Sequence, residues 1–262
     1  FKWGRGLFGH DWKVPVFSGI GYLIVILSLQ EFMRNRKAMD VRIPCAVHNI
    51  LLAIFSVIIF AMQTHRAVLS AQEHGWITII CTQDSGATRG PVYFWCYVFY
   101  LSKYYEFIDT VFLVLKKKPL DFLHCYHHAI VPTGCWLGFV GWKLPLTTGC
   151  IFNSFVHAIM YYYYGVSQLG FKVWWKRYIT VVQIIQFTSG AFFTAWFSVH
   201  YFTNLNVTET ATSWTLTFTK GCFGHLKSII LVAAINISFL VLFISFYAKT
   251  YRPPAQAAKK TQ

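Results

Sequence analysis

Residues 122–142 read FLHCYHHAIVPTGCWLGFVGW. At about 1.5 Å of rise per residue, a helix of this length crosses a hydrocarbon core of about 30 Å. The run holds no Asp, Glu, Lys or Arg, yet His124, His127 and His128 stand near its start. Spaced i, i+3 and i+4, the three imidazoles share one helical face. A single buried histidine is commonly a satisfied core residue, but three on one turn at the mouth of an apolar helix require another explanation. If the run is a membrane helix, the fold is helical, because a span in lipid must satisfy its own backbone groups.

The composition agrees. The chain has 262 residues, 56% apolar, 19% aromatic and 12% charged. Soluble domains carry about 25% charged residues, so a soluble class is excluded. The expectation is an all-α integral membrane protein with one polytopic domain over 1–262. Seven spans are expected at about 14–33, 41–63, 92–115, 122–142, 145–166, 174–198 and 226–248, with 249–262 as a cytosolic tail. The separators RNRKAMDVR, KKKPLD and GFKVWWKR are short and basic, and no repeat or second domain interrupts the pattern. Residue 1 is Phe, so the natural N-terminus is expected upstream, and no cleavable signal peptide is read.

The net charge of +14 would point to nucleic acid in a soluble protein. Here the cations flank apolar spans, so they set orientation, and a phosphate-bearing substrate could use the same charges. One set of loops carries fourteen Lys and Arg, among them Arg34, Lys116, Lys117, Lys118, Lys176, Arg177 and Arg252, against eight on the other side. The richer side is expected to be cytosolic, with the N-terminus lumenal. Asn206-Val207-Thr208 is a glycosylation sequon in the loop that this rule makes lumenal. Lys259-Lys260-Thr261-Gln262 looks like a dilysine retrieval signal of the endoplasmic reticulum. Cys81 and Cys222 fall in the two long lumenal loops, an oxidising setting, and are expected to pair.

Polar side chains at membrane depth are costly, so they mark candidate sites. Four spans carry them at helical spacing. Lys103, Glu106, Asp109 and Thr110 form one stripe, and the three histidines form a second, with Asp121 placed to cap their helix. Asn153, His157, Met160, Tyr161 and Tyr164 form a third, and Gln183 and Gln186 a fourth. All four converge about 10–15 Å inside the basic end. The opposite halves offer Trp136, Leu137, Phe139, Phe192, Phe193 and Trp196. The expected picture is a closed-ended apolar tunnel with a polar chamber at a basic cytosolic mouth. Pro132 is expected to bend one wall.

An apolar tunnel suits a fatty acyl chain, and a basic mouth suits the phosphates of coenzyme A. Candidate holders are Lys116, Lys117, Lys118, Lys176, Arg177 and Arg252. Imidazoles where the two meet suit nucleophilic or general-base chemistry at a thioester. Two rivals exist. A di-iron desaturase or hydroxylase would use several histidine boxes, but no HxxHH or HxxxH occurs outside 124–128, and no metal is expected. A seven-span receptor or lipid carrier would have the tunnel without turnover.

KYYEFIDT (103–110), HCYHH (124–128), NSFVHAIMYYYY (153–164) and QIIQF (183–187), in this order and spacing, resemble the four signature motifs of the ELO family of fatty acid elongases. The resemblance implies a ring of six helices around the tunnel, with one span packed outside. It implies a 3-oxoacyl-CoA synthase of the endoplasmic reticulum that condenses acyl-CoA with malonyl-CoA and uses no cofactor. A reductase and a dehydratase of the same cycle are implied as partners, a homo-oligomer is open, and no nucleic acid is expected. His127 is the expected nucleophile, through an acyl-imidazole. His157 and Asn153 would steady the enolate, and His124 and His128 would assist protonation. Glu106 and Asp109 would orient imidazoles, with Lys103 balancing their charge. Gln183, Gln186, Tyr161 and Tyr164 would line the substrate site. Cys125, about 100° from His124 on the helix wheel, is discounted as nucleophile.

Overall fold

The computed structural model describes residues 1–75, 89–141, 143–202, 205–210, 213–218 and 225–251. Its helices are α1 (Lys13–Met33), α2 (Arg42–His74), α3 (Pro91–Tyr105), α4 (Phe107–Leu115), α5 (Phe122–Gly141), α6 (Lys143–Gln168), α7 (Lys176–Phe202) and α8 (Leu226–Tyr251). Helix covers each of the seven expected stretches, and the third is broken at Glu106 into α3 and α4. Four helices are long and apolar enough to cross a membrane by length and composition alone: α1, α2, α7 and α8. The other rods carry three of the four polar stripes, and α7 carries the fourth. The protein is a multi-pass membrane protein.

Two differences from expectation concern the ends of elements. Helix α2 runs on to His74, 33 residues and about 50 Å of helix, well past the ~20 residues needed to cross the core. Helix α8 runs to Tyr251, so the expected tail begins later, and residues 252–262 lie outside the described residues. A short antiparallel hairpin also joins the all-α frame, with β1 (Leu205–Thr210) paired to β2 (Ser213–Phe218). Its threonine-rich segments favour strand. Asn206 of the sequon sits on β1 opposite Thr217.

Six rods close into a ring in the order α2, α3–α4, α5, α8, α7, α6, and back to α2. The α2–α6 seam is the most extensive. Gly165 lies in this seam against Ile50, whose side chain a Cβ there would displace. Helix α1 stands outside the ring on α4 and α5. Tyr22, Ile26 and Met33 pack on Val114, and Gly19 lies against the Ala129 backbone too closely for any side chain. The far face of α1, with Phe17, Ile20, Ile24 and Val25, is exposed, as a lipid-facing surface is.

The end of the ring opposite the basic connections is filled. Ile59, Tyr93, Cys96, Phe99, Tyr100, Phe139, Leu146 and Cys150 form one core there. The N-terminal residues seal it. Trp3 stacks on Phe139 at 4.2 Å, and Tyr100 donates to the Gly9 carbonyl. This corrects the expected tunnel lining. Phe139 belongs to that core, and Trp136 donates its indole N–H to the His10 carbonyl at 2.8 Å beside α1 and α8. Leu137 is buried in the same α5 wall, and its groove also lies outside the chamber. Phe192 and Trp196 are exposed on the outer face of α7, and Phe193 stacks on Trp196. A membrane helix is apolar on its lipid face as well as its core face, so hydrophobicity alone misassigned these six.

At the basic end, α4 stops on a Schellman motif. Lys118 N–H donates to the Leu113 carbonyl and Lys117 N–H to the Val114 carbonyl, both at 2.9 Å. The residue in the left-handed position is Lys117, at φ 52°, where glycine is usual. Its Nζ donates to the Arg34 carbonyl at 2.8 Å. Lys117→Gly also loses this exposed hydrogen bond, but relief of the left-handed strain outweighs it and leaves the variant more stable by about 0.5–1 kcal/mol. Lys117→Ala, which loses the hydrogen bond and keeps the strain, does not gain. Melting temperatures in detergent distinguish the two.

Candidate active site

The three histidines project from the first turns of α5. Pro132 lies inside that helix and has no N–H to offer the His128 carbonyl four residues back, which loosens the backbone where the imidazoles sit. The break at Glu106 has a local cause too. Ser102 Oγ, with one proton to give, lies 2.8 Å from the Phe99 carbonyl and 3.2 Å from Glu106 Oε1 and shares it between them. Asp109 N–H then takes the Glu106 carbonyl at 3.0 Å in a tighter turn. The kink sets Lys103, Glu106, Asp109 and Thr110 around the histidines.

These groups line or adjoin a chamber of about 650 Å³ at the basic end of the ring. Its wall includes Glu106, Asp109, His124, His127, His128, Asn153, His157, Tyr161, Tyr164, Gln183 and Gln186. All four sequence stripes therefore meet, from α3–α4, α5, α6 and α7. Cys125 is not part of the wall.

Two buried networks flank the chamber. In the first, Lys103 Nζ donates to Glu106 Oε1 at 2.8 Å, to Asn153 Oδ1 at 3.0 Å and to His157 Nδ1 at 3.4 Å. An ammonium only donates, so His157 Nδ1 accepts and its proton sits on Nε2. Lys103 and Glu106 are each 2% exposed. Asn153 Nδ2 reaches Gln186 Oε1 at 3.5 Å, and Gln183 Nε2 reaches Met160 Sδ at 3.5 Å. In the second network, Asp109 accepts from His48 at 2.7 Å and from Tyr161 at 2.6 Å, with His128 Nε2 at 4.0 Å. A hydroxyl run, Tyr22 to Thr110 to His124 Nε2, holds each link at 2.8 Å.

His127 stands between the networks. Among the described residues no hydrogen bond ties its ring, which packs on His128, His157 and Phe239 at centroid distances of 5.3, 6.4 and 5.3 Å. Among the described residues His124 and His157 are hydrogen-bonded, whereas His127 and His128 are not, and His128 instead faces the Asp109 carboxylate at 4.0 Å.

The basic mouth is built from fewer residues than expected. Lys116, Lys118 and Lys176 line the chamber. Lys116 Nζ donates to Gln168 Oε1 at 3.0 Å and contacts Cys45 Sγ at 3.3 Å. Lys117 turns away to Arg34, in a separate groove between α1 and α4. Arg177 instead donates to the Tyr247 hydroxyl at 2.7 Å and is not in the wall. Arg252, Cys81 and Cys222 lie outside the described residues. Sequence reasoning missed His48 as a member of the site. Its signal was an imidazole alone in an apolar span.

Fold and chamber together define a polytopic membrane protein with clustered imidazoles and a buried Lys–Glu pair at one end of a helical ring. Residues 7–260 match the ELO: GNS1/SUR4 family profile. The chain is 36% identical over 264 residues to fatty acid elongase sre1 of Dictyostelium discoideum, covering 99% of this chain and 92% of that one. It is 37% identical over 254 residues to fatty acid elongase A of the same organism, covering 94% and 86%. It is 31% identical over 261 residues to very long chain fatty acid elongase 2 of Mus musculus, covering 95% and 80%. The chain belongs to the ELO (GNS1/SUR4) family.

Proposed function

We propose that this protein is a fatty acid elongase of the endoplasmic reticulum membrane that catalyses the condensing step, as a very-long-chain 3-oxoacyl-CoA synthase. Acyl-CoA and malonyl-CoA enter from the basic, cytosolic end, with the N-terminus lumenal, Asn206 glycosylated, and Lys259-Lys260 read by retrieval machinery. Cys81 and Cys222 pair across the lumenal loops. A reductase and a dehydratase take over the product. The observation that carries the reading is His127, an imidazole with no hydrogen bond among the described residues, set in a chamber beside the hydrogen-bonded His124 and His157 and beside His128, which faces the Asp109 carboxylate.

In the first half-reaction a nitrogen of His127 attacks the acyl thioester carbon. The C–S bond breaks, and the proton lost from the imidazole passes to the CoA thiolate. The N–H of His157 Nε2 offers a donor to the oxyanion. In the second half-reaction malonyl-CoA loses CO2, and its carbanion attacks the acyl-imidazole carbon. The imidazolide that leaves takes a proton, so each turnover consumes one. Asn153 and His157 steady the enolate. Both halves are nucleophilic and acid–base chemistry and draw on no metal or redox cofactor.

The test uses purified full chain with a long-chain acyl-CoA alone, followed by intact-mass and peptide mass spectrometry. The expected result is an acyl adduct on His127, released as 3-oxoacyl-CoA when malonyl-CoA is added. Condensation without any adduct removes the covalent step and makes the histidines general bases. Acyl binding without turnover replaces the synthase with a carrier.

A further inference from the structure

We propose that His48, which lies on α2 outside all four signature motifs, is a positioning residue of the condensation: it holds the Asp109 carboxylate facing His128. The proposal rests on the condensing reading above. Three rods meet on this carboxylate. From α2, His48 Nε2 lies 2.7 Å from Oδ1, and from α6 the Tyr161 hydroxyl lies 2.6 Å from Oδ2. Asp109 itself comes from α4, just beyond the Glu106 break. An ionised carboxylate accepts only, so His48 carries its proton on Nε2. Its Nδ1 is then the acceptor for the Tyr105 hydroxyl, at 3.3 Å. The ring is clamped between Tyr105 and Phe112, at centroid distances of 5.1 and 5.3 Å. Burial, with His48 at 6% exposure, leaves water little access to replace it.

Both Asp109 oxygens are thus used, and the plane of the carboxylate is fixed. Oδ2 lies 4.0 Å from His128 Nε2. His128 in turn abuts His127 at 5.3 Å and His124 at 4.4 Å between centroids. When the proton leaving His127 rests on His128 on its way to CoA, positive charge develops there, and a fixed carboxylate stabilises it. Without His48 one oxygen loses its donor, and the carboxyl turns about the single bond from Tyr161. His48 touches no reacting atom and acts only through Asp109.

The experiment compares His48→Gln with His48→Asn in the purified full chain, alongside wild type. The two amides are alike in polarity and differ in reach. The glutamine N–H stands where Nε2 was and reaches Asp109, whereas the asparagine N–H stops at the Nδ1 position. Rates of 3-oxoacyl-CoA formation, KM for each CoA substrate and melting temperature are measured. The expected result is that His48→Gln retains most of kcat, while His48→Asn loses about tenfold to a hundredfold, as outer-sphere partners of reactive groups do. KM for acyl-CoA and melting temperature stay at wild-type values in both. Equal kcat in the two variants overturns the proposal, whether both match wild type or both fall. Loss of folded protein in the asparagine variant alone also overturns it, because His48 would then be a structural residue. A wild-type protein that binds acyl-CoA and condenses nothing defeats the condensing reading, and the proposal with it.

Discussion

His127→Ala lowers kcat/KM for condensation by about a thousandfold or more, the scale of losing a nucleophile, and abolishes the acyl adduct. The reason lies in how the four imidazoles are held. His157 is tied to Lys103, and His124 to Thr110. His128 has no hydrogen bond among the described residues, but at 4.0 Å it faces the Asp109 carboxylate, which favours a protonated ring over a nucleophilic one. A ring committed to a neighbour through one nitrogen makes a good donor or acceptor, but it must break a bond or turn to attack carbon. His127 has no such commitment among the described residues, and its position is set by Phe239 and its two histidine neighbours. His124→Ala is the internal comparison. It removes the end of the Tyr22–Thr110 hydroxyl run and costs less rate, and it leaves the adduct on His127 in place. If His124→Ala abolishes the adduct and His127→Ala does not, the nucleophile is the other ring.

Much of this arrangement was legible in the chain because lipid makes polar residues conspicuous. Lys103, Glu106, Asp109, Asn153 and His157 stand out against apolar runs, and helical spacing put them on shared faces. The same contrast placed their convergence near the basic end, where the chamber lies. The break at Glu106 was not legible. Ser102 bonds the carboxylate across one turn and keeps Glu106 on the same face as Lys103, so the period runs through the kink unchanged. The direction of surface cations was equally hidden. KKKPLD offers three equivalent lysines, and only the left-handed backbone at Lys117 sends one of them to Arg34 while its neighbours face the chamber. His48 shows the opposite case. It lies in an apolar span as the other histidines do, but standing alone it formed no stripe. Its partner is 61 residues away, and pairing at that distance leaves no periodic trace.

The second large effect concerns stability and activity together. Lys103→Met strands the Glu106 carboxylate in a site where both residues are 2% exposed, and costs about 3–5 kcal/mol of stability. One Glu106 oxygen, Oε2, already has no hydrogen-bond partner among the described residues. Removing the ammonium from Oε1 leaves only the Ser102 hydroxyl and a contact with His157 at 3.5 Å. Lys103→Met/Glu106→Gln takes the charge away and recovers most of the loss, since neutral replacement of a buried pair is often close to neutral in stability. It does not recover the rate. Asn153 Oδ1 and His157 Nδ1 both accept from Lys103 Nζ, and methionine offers neither a donor. His157 is then free to move its proton to Nδ1 and present the wrong nitrogen to the chamber. Thermal unfolding in detergent reads the first effect and condensation assays read the second. A double variant that regains both stability and rate would make the Lys–Glu pair scaffolding. Regaining stability alone fixes its role as the group that sets the His157 tautomer and aims Asn153.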